Sequence, residues 1–296
     1  MLLCLLNKYH MKGMYTKIIA AVSLLALTTA GCNSSNAGKE EKKEQTVAAA
    51  ETVTIKNEEL YPFMLAGVYF VHGYGGPTHT FDGLIKPAVK SEPGTADFSK
   101  EMQAAYSRYF IFPFKPGDAA GEKDAKATLA EYWDIHNVAG LEKSLTWLLD
   151  EGHQAQYAQY RKVLDENGGA AANLNTLDLT KYKLTKEDLP GIQFIKDHYT
   201  AFSSAGIKAW DLARYINNIC VAYQAGYFNR GEAMAWLMKA PQVAQARYSD
   251  WKSYFNDFLL GREFWGGGEA DNARFKEEVA GMLEGKYSIY SYMPVK

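Results

Sequence analysis

Apolar residues along most of the chain recur with the period of a helix. Leu141, Leu145, Leu148 and Leu149 share one helical face, with Asn137 placed to cap the run and Gly152 placed to stop it. The same period sets Leu60, Met64 and Val68 behind Asn57, and Met102, Tyr106 and Phe110 behind Asp97 or Ser99. It also sets Tyr157, Tyr160 and Leu164 ahead of Gly168 and Gly169. Residues 169–184 carry no period and read as a loop. Thr185 with Asp188, and Asn229 with Glu232, have the spacing of capping boxes. The first opens a helix bearing Phe194 and Ile195, the second a short helix that Pro241 follows with another. A helix from about Ile207 to Tyr227 has Leu212, Ile216, Ile219 and Tyr223 on one face and Asp211, Arg214 and Asn218 on another. Ser249 is placed to cap a helix with Trp251, Tyr254, Phe255, Phe258 and Leu259, which Gly266, Gly267 and Gly268 end. A last helix covers about Ala270 to Leu283, and the alternation from Tyr287 to Tyr292 predicts one short strand. With no internal repeat, the pattern predicts a mainly α protein: a single helical domain of short and medium helices over residues 53–296.

The N-terminal pattern is different. Met1, Met11 and Met14 are three candidate starts, and the signal works from any of them: from Met11 onward Lys12 and Lys17 precede an apolar run, Ile18 to Leu27, and the small residues Thr28 to Gly31. A membrane-spanning helix needs about 20 apolar residues, so this run reads as an export signal over residues 1–31. The junction Ala30-Gly31-Cys32 resembles a bacterial lipobox, although Thr29 stands where leucine is usual. The resemblance implies cleavage before Cys32 and lipidation of that residue with acyl chains such as palmitate, each buried methylene adding about 0.8 kcal/mol of membrane affinity. Residues 32–52 are small, polar or charged, including Lys39 to Glu44, and read as a lipidated, disordered tether. The expected localisation is a bacterial membrane, lipid-anchored and extracytoplasmic.

Charge and cysteine content sharpen this picture. Removal of residues 1–31 takes away Lys8, Lys12 and Lys17 and no acid, leaving 29 basic against 34 acidic residues, a net charge of −5. That balance gives nucleic acid nothing to bind. Of the three cysteines, Cys4 leaves with the signal and Cys32 carries the lipid, so Cys220 has no disulfide partner. Flanked by Ile219 and Val221, it reads as a core residue.

Several motifs then align in order: Trp133-Asp134-Ile135, Trp147 through His153, Ala209-Trp210-Asp211-Leu212-Ala213-Arg214, Ala225-Gly226-Tyr227, Glu232-Ala233 with Trp236, Ser249 with Trp251, and Leu260 through Trp265. Over about residues 130–266 they resemble the bacterial family catalogued as domain of unknown function 1266. Asp134 stands where that family more often has glycine. The resemblance implies a helical fold and transfers no mechanism.

The residues with candidate chemistry are His153, Asp211, Arg214, Glu232 and Arg262, a polar set within aromatic helices. Charged groups in such a setting more often lock elements together than catalyse, because an unpaired buried charge is too costly to keep. His153, after the glycine that ends a helix, is placed where the C-terminal dipole favours a protonated ring. The segment from His72 to Gly76 is similar to the glycine-rich oxyanion loop of some esterases, but the chain lacks the Gly-x-Ser-x-Gly elbow that loop serves. His72 and His79 lack a His-Glu-x-x-His or cysteine setting, so no metal site and no cofactor is expected. Trp210, Trp236, Trp251 and Trp265 have helical core spacing, with stacking on envelope sugars as the alternative. Together these readings describe an envelope lipoprotein whose helical domain is a binding or interaction module for an envelope protein or glycan. The alternative is a hydrolase or other enzyme using His153, Asp211 and Arg214.

Overall fold

The computed structural model describes residues 54–296, and every element in that range is helical. The expected export signal, Cys32 and the expected tether lie outside the described residues. Two short helices, α1 (Tyr61–Met64) and α2 (Gly67–Gly73), open the domain. Asn57 does accept a hydrogen bond, from the Leu60 amide at 2.9 Å, but Pro62 and the bend at Ala66 split the expected single segment. A π-helical turn, His79–Ile85, leads towards α3 (Ala96–Phe110). Its cap is Thr95, whose hydroxyl accepts from the Phe98 amide at 3.1 Å, instead of Asp97 or Ser99.

The helix α4 (Ala119–Trp133) has no counterpart in the sequence reading. Only Ala125 and Leu129 of its side chains are buried, so its apolar stripe is too thin to register as a period. It ends at Asp134, which adopts φ +53°. That left-handed conformation is the natural place for glycine, which fits the glycine more often found there, and aspartate is among the few other residues that tolerate it.

Next come α5 (Val138–Asp150), capped by Asn137, and α6 (Gln154–Asp165). The expected loop at 169–184 is a chain of short 3₁₀ turns, and Thr185 and Asp188 form their capping box ahead of α7 (Leu189–Asp197). Four more helices follow: α8 (Lys208–Gln224), α9 (Arg230–Leu237), α10 (Ala240–Arg247) and α11 (Trp251–Phe264). Asp250, not Ser249, caps α11, accepting from the Ser253 amide at 2.7 Å; a carboxylate there also complements the positive end of the helix. The last helix is α12 (Glu269–Glu284).

Helix α8 is the axis of the molecule. Thirteen of its seventeen residues are buried, so it is enclosed on all sides and not merely amphipathic. It packs against α2, α4, α5, α9, α10 and α11. A large aromatic core surrounds it, including Trp210, Tyr215, Trp251, Tyr254 and Phe258. A second, smaller core is built from Tyr157, Tyr160, Val163, Leu164, Ala172, Leu184, Ile192, Ile195 and Ile207, and makes α6 and α7 a lobe of their own.

The short strand expected at Tyr287 to Tyr292 does not form; the segment holds a 3₁₀ turn, Ile289–Ser291. Ser288, Ile289 and Tyr290 are buried in succession, which a two-faced strand cannot do. Side chains supply the tethers instead: Tyr290 donates to the Met64 carbonyl at 2.9 Å, Trp251 to that of Met293 at 2.6 Å and Tyr61 to that of Val295 at 2.8 Å. The tail is thereby sewn to the start of the domain. Among the described residues no helix is long and apolar enough to cross a membrane.

Candidate functional site

The turn from Glu151 to His153 joins α5 to α6, and the first turns of α8 grip it from both sides. Lys208, 2 % exposed, donates from Nζ to the Leu148 carbonyl at 3.0 Å, placing a cation at the negative end of α5. Asp211, fully buried, accepts from the amides of His153 and Gln154, both at 3.0 Å, placing an anion at the positive end of α6. Each charge so satisfies backbone groups that would otherwise be stranded away from water. Burial pushes the Lys208 ammonium below its usual range, and Asp211 acts in the opposite sense.

Gly152 makes the close approach feasible. It sits at φ +61°, and a Cβ on it would lie 2.1 Å from Oδ2 of Asp211. Two stretches far apart in sequence, Trp147 to His153 and Lys208 to Arg214, are therefore one structural unit. Gln154 adds to it by accepting from the Ile207 amide at 2.7 Å.

Arg214, one turn beyond Asp211, donates from Nη1 to Nδ1 of His153 at 2.9 Å. A guanidinium only donates, so Nδ1 is an acceptor and the ring proton sits on Nε2. The same Nδ1 lies 3.4 Å from Oδ1 of Asp211, whose oxygens already serve two amides. Burial, reinforced by the Arg214 charge and opposed by Asp211, lowers the His153 pKa. The expectation of a ring held protonated by a helix dipole is thus overturned: desolvation and a neighbouring guanidinium outweigh the dipole. The guanidinium itself lies over three indoles, 4.4 Å from Trp133, 5.0 Å from Trp210 and 5.6 Å from Trp265.

His153, Asp211 and Arg214 thus come together, while Glu232 and Arg262 do not join them. Glu232 closes the capping box of α9, its carboxylate accepting from the Asn229 amide at 2.8 Å. Arg262, 2 % exposed, turns to α12, with its guanidinium 4.4 Å from Phe275 and Nη2 3.8 Å from Asp271. Sequence reasoning passed over Lys208 and Trp147. Lys208 precedes Asp211 by three residues, which puts a lysine on the same face of a buried helix, and that spacing was the available signal.

The remaining candidates occupy structural places. His72 is buried in the last turn of α2, with Nδ1 3.0 Å from both Glu278 oxygens, and it stacks on Phe275 at 4.7 Å. The glycines after it make a turn, Gly75 and Gly76 at φ +91° and +98°. Cys220 is buried, and burial pushes its thiol far up, away from the thiolate a nucleophile requires. Trp210 and Trp251 are core residues, and Trp236 and Trp265 are half-buried against the same core. Among the described residues no group of three or more His, Cys, Asp or Glu is arranged to hold a metal.

Trp147 is the exception in this packed neighbourhood. It is 37 % exposed, with its ring edge-on to that of His153 at 5.0 Å. It lines a shallow depression of about 460 Å³ with Ala139, Glu142, Lys143, Thr146, Asp150 and Glu151. A second depression, of about 380 Å³, lies between Ser249 to Lys252 and the C-terminal tail. Neither is lined by His153, Asp211 or Arg214.

An all-α domain in which two of the signature motifs, Trp147 to His153 and Ala209 to Arg214, build one clamp is the class that fold and site define. The chain belongs to the family described as "Protein of unknown function (DUF1266)", which it matches over residues 128–295, beyond the 130–266 that the motifs mark. It is similar to the "Uncharacterized protein YbeR" of Escherichia coli (strain K12), 23 % identical over 172 residues. That similarity covers 53 % of this chain and 64 % of YbeR, so under two thirds of the relative's length is spanned. No solved structure matches the chain.

Proposed function

We propose that this protein is an extracytoplasmic lipoprotein, cut before Cys32 and anchored there by acyl chains, whose helical domain is a non-catalytic binding module. The observation that carries the module reading is how the motif residues are used. Asp211 is committed to two backbone amides and Arg214 to an imidazole among three indoles, while Trp147, backed by that imidazole, stands exposed. A catalytic set would need a reacting group and open space between the polar atoms. Here they are occupied by one another and by backbone. The enzyme alternative using His153, Asp211 and Arg214 therefore has proximity in its favour and little else.

Anchoring is supported by the basic, apolar and small-residue succession that ends at Cys32. Intact-mass measurement of the protein extracted from membranes tests it. The expected result is an N-terminus at Cys32 carrying diacylglycerol and acyl chains, with Cys32→Ala abolishing attachment. An unmodified cysteine at 32, or a mature N-terminus elsewhere, overturns the lipoprotein reading.

A further inference from the structure

Tryptophan is enriched among the residues that carry binding energy, and the surroundings of the exposed Trp147 indicate the chemistry of a partner. The depression it lines carries Glu142, Asp150 and Glu151 against a single Lys143, a formal charge of −2. Among the described residues none of these four side chains takes part in an ion pair, unlike the many exposed pairs elsewhere on the surface. An indole flanked by carboxylates that form no close ion pair, only Asp150 lying near a cation in Lys208, is the chemistry that receives a guanidinium or ammonium group. The aromatic quadrupole attracts the cation and the carboxylates pair with its charge.

The indole is also held in place before any partner arrives. It leans on His153, whose ring is fixed by Arg214 and whose backbone is fixed by Asp211, so little side-chain freedom remains to be lost on binding. Resting on the binding-module reading, we propose that the exposed face of α5 around Trp147 docks a basic segment of a protein partner, one arginine or lysine side chain lying against the indole.

The test is calorimetric titration of the full-length, membrane-extracted protein with a hexa-arginine peptide, at low and high salt. The expected result is saturable binding that weakens with salt, and at least tenfold in Trp147→Ala, with Trp147→Phe retaining most of it and melting curves unchanged. Reversing Glu142, Asp150 and Glu151 to lysine should abolish binding, whereas reversing the exposed Glu58, Glu187 and Glu277 should not. Equal loss in both charge-reversed proteins, or no effect of Trp147→Ala, overturns the site. So does a face that binds neutral oligosaccharides or anionic vesicles in place of the peptide; that result would leave the binding-module reading standing. Loss of lipid at Cys32 bears only on the anchoring, so the two failures are distinguishable.

Discussion

His153 is a half-buried base whose ordinary pKa lies near neutrality, so its placement has a consequence for stability. Its folded pKa is lowered, chiefly by burial, against about 6.5 in the unfolded chain. The stability tied to the neutral ring is present above the unfolded value and is lost as pH falls through the folded one, because the unfolded chain binds the proton more readily. Urea melts from about pH 8 to about pH 5 should show wild type losing more stability on acidification than His153→Gln, which keeps an acceptor for Arg214. Parallel pH profiles for the two proteins would contradict the neutral tautomer. The sequence could show that His153 follows a glycine at a helix end. It could not show that a guanidinium from 61 positions away would meet Nδ1, because that contact is set by packing of helices and not by spacing along one.

At the level of elements, the joint between α5 and α6 concentrates the energetics of the family motifs. Removing the buried Asp211 carboxylate takes the acceptor from two amides of a half-buried turn, and Asp211→Ala should cost about 3–5 kcal/mol in chemical unfolding. Gly152→Ala forces a left-handed alanine and a Cβ into that carboxylate, and should cost at least about 2 kcal/mol. The two losses should not add. With the carboxylate gone the methyl group has room, so Gly152→Ala should cost less in the Asp211→Ala background. Strict additivity would mean that the clash is relieved elsewhere. Helix α5 was legible from its apolar stripe and its Asn137 cap, and α9, with only Ala233 and Leu237 buried, from its Asn229–Glu232 capping box. Helix α4 was not, since two buried side chains give no period and no capping box marks its start, and the tail was misread because aromatic and serine residues alternate there in sequence while burial runs through Ser288, Ile289 and Tyr290 in succession.

Across the whole molecule, two cores of unequal size imply two levels of stability. Helix α8 is enclosed by the large core, whereas α6, α7 and the turns between them rest on the smaller one. The lobe is pinned where its chain enters and leaves. Asp211 holds the entry at His153 and Gln154, and Asp257 holds the exit by accepting from the Ser203 amide at 3.1 Å and from its hydroxyl, with Asn256 donating to the Ala201 carbonyl at 2.8 Å. Aromatic contact continues the attachment, since Phe264 at the end of α11 lies 6.0 Å from both Tyr160 and Phe194. Native-state hydrogen exchange should therefore resolve an opening in which amides of α6 and α7 exchange together, at lower free energy than those of Leu212 to Cys220 in α8. Asp257→Ala tests this attachment from outside α8: it frees the segment by which the chain leaves the lobe, and in the main core it removes a polar contact with Tyr248. Exchange in α6 and α7 should quicken by at least tenfold in that variant, with protection in α8 changed far less. If both regions quicken by the same factor, the lobe unfolds only with the rest of the domain, and the smaller core is an extension of the larger one and not a unit that opens alone.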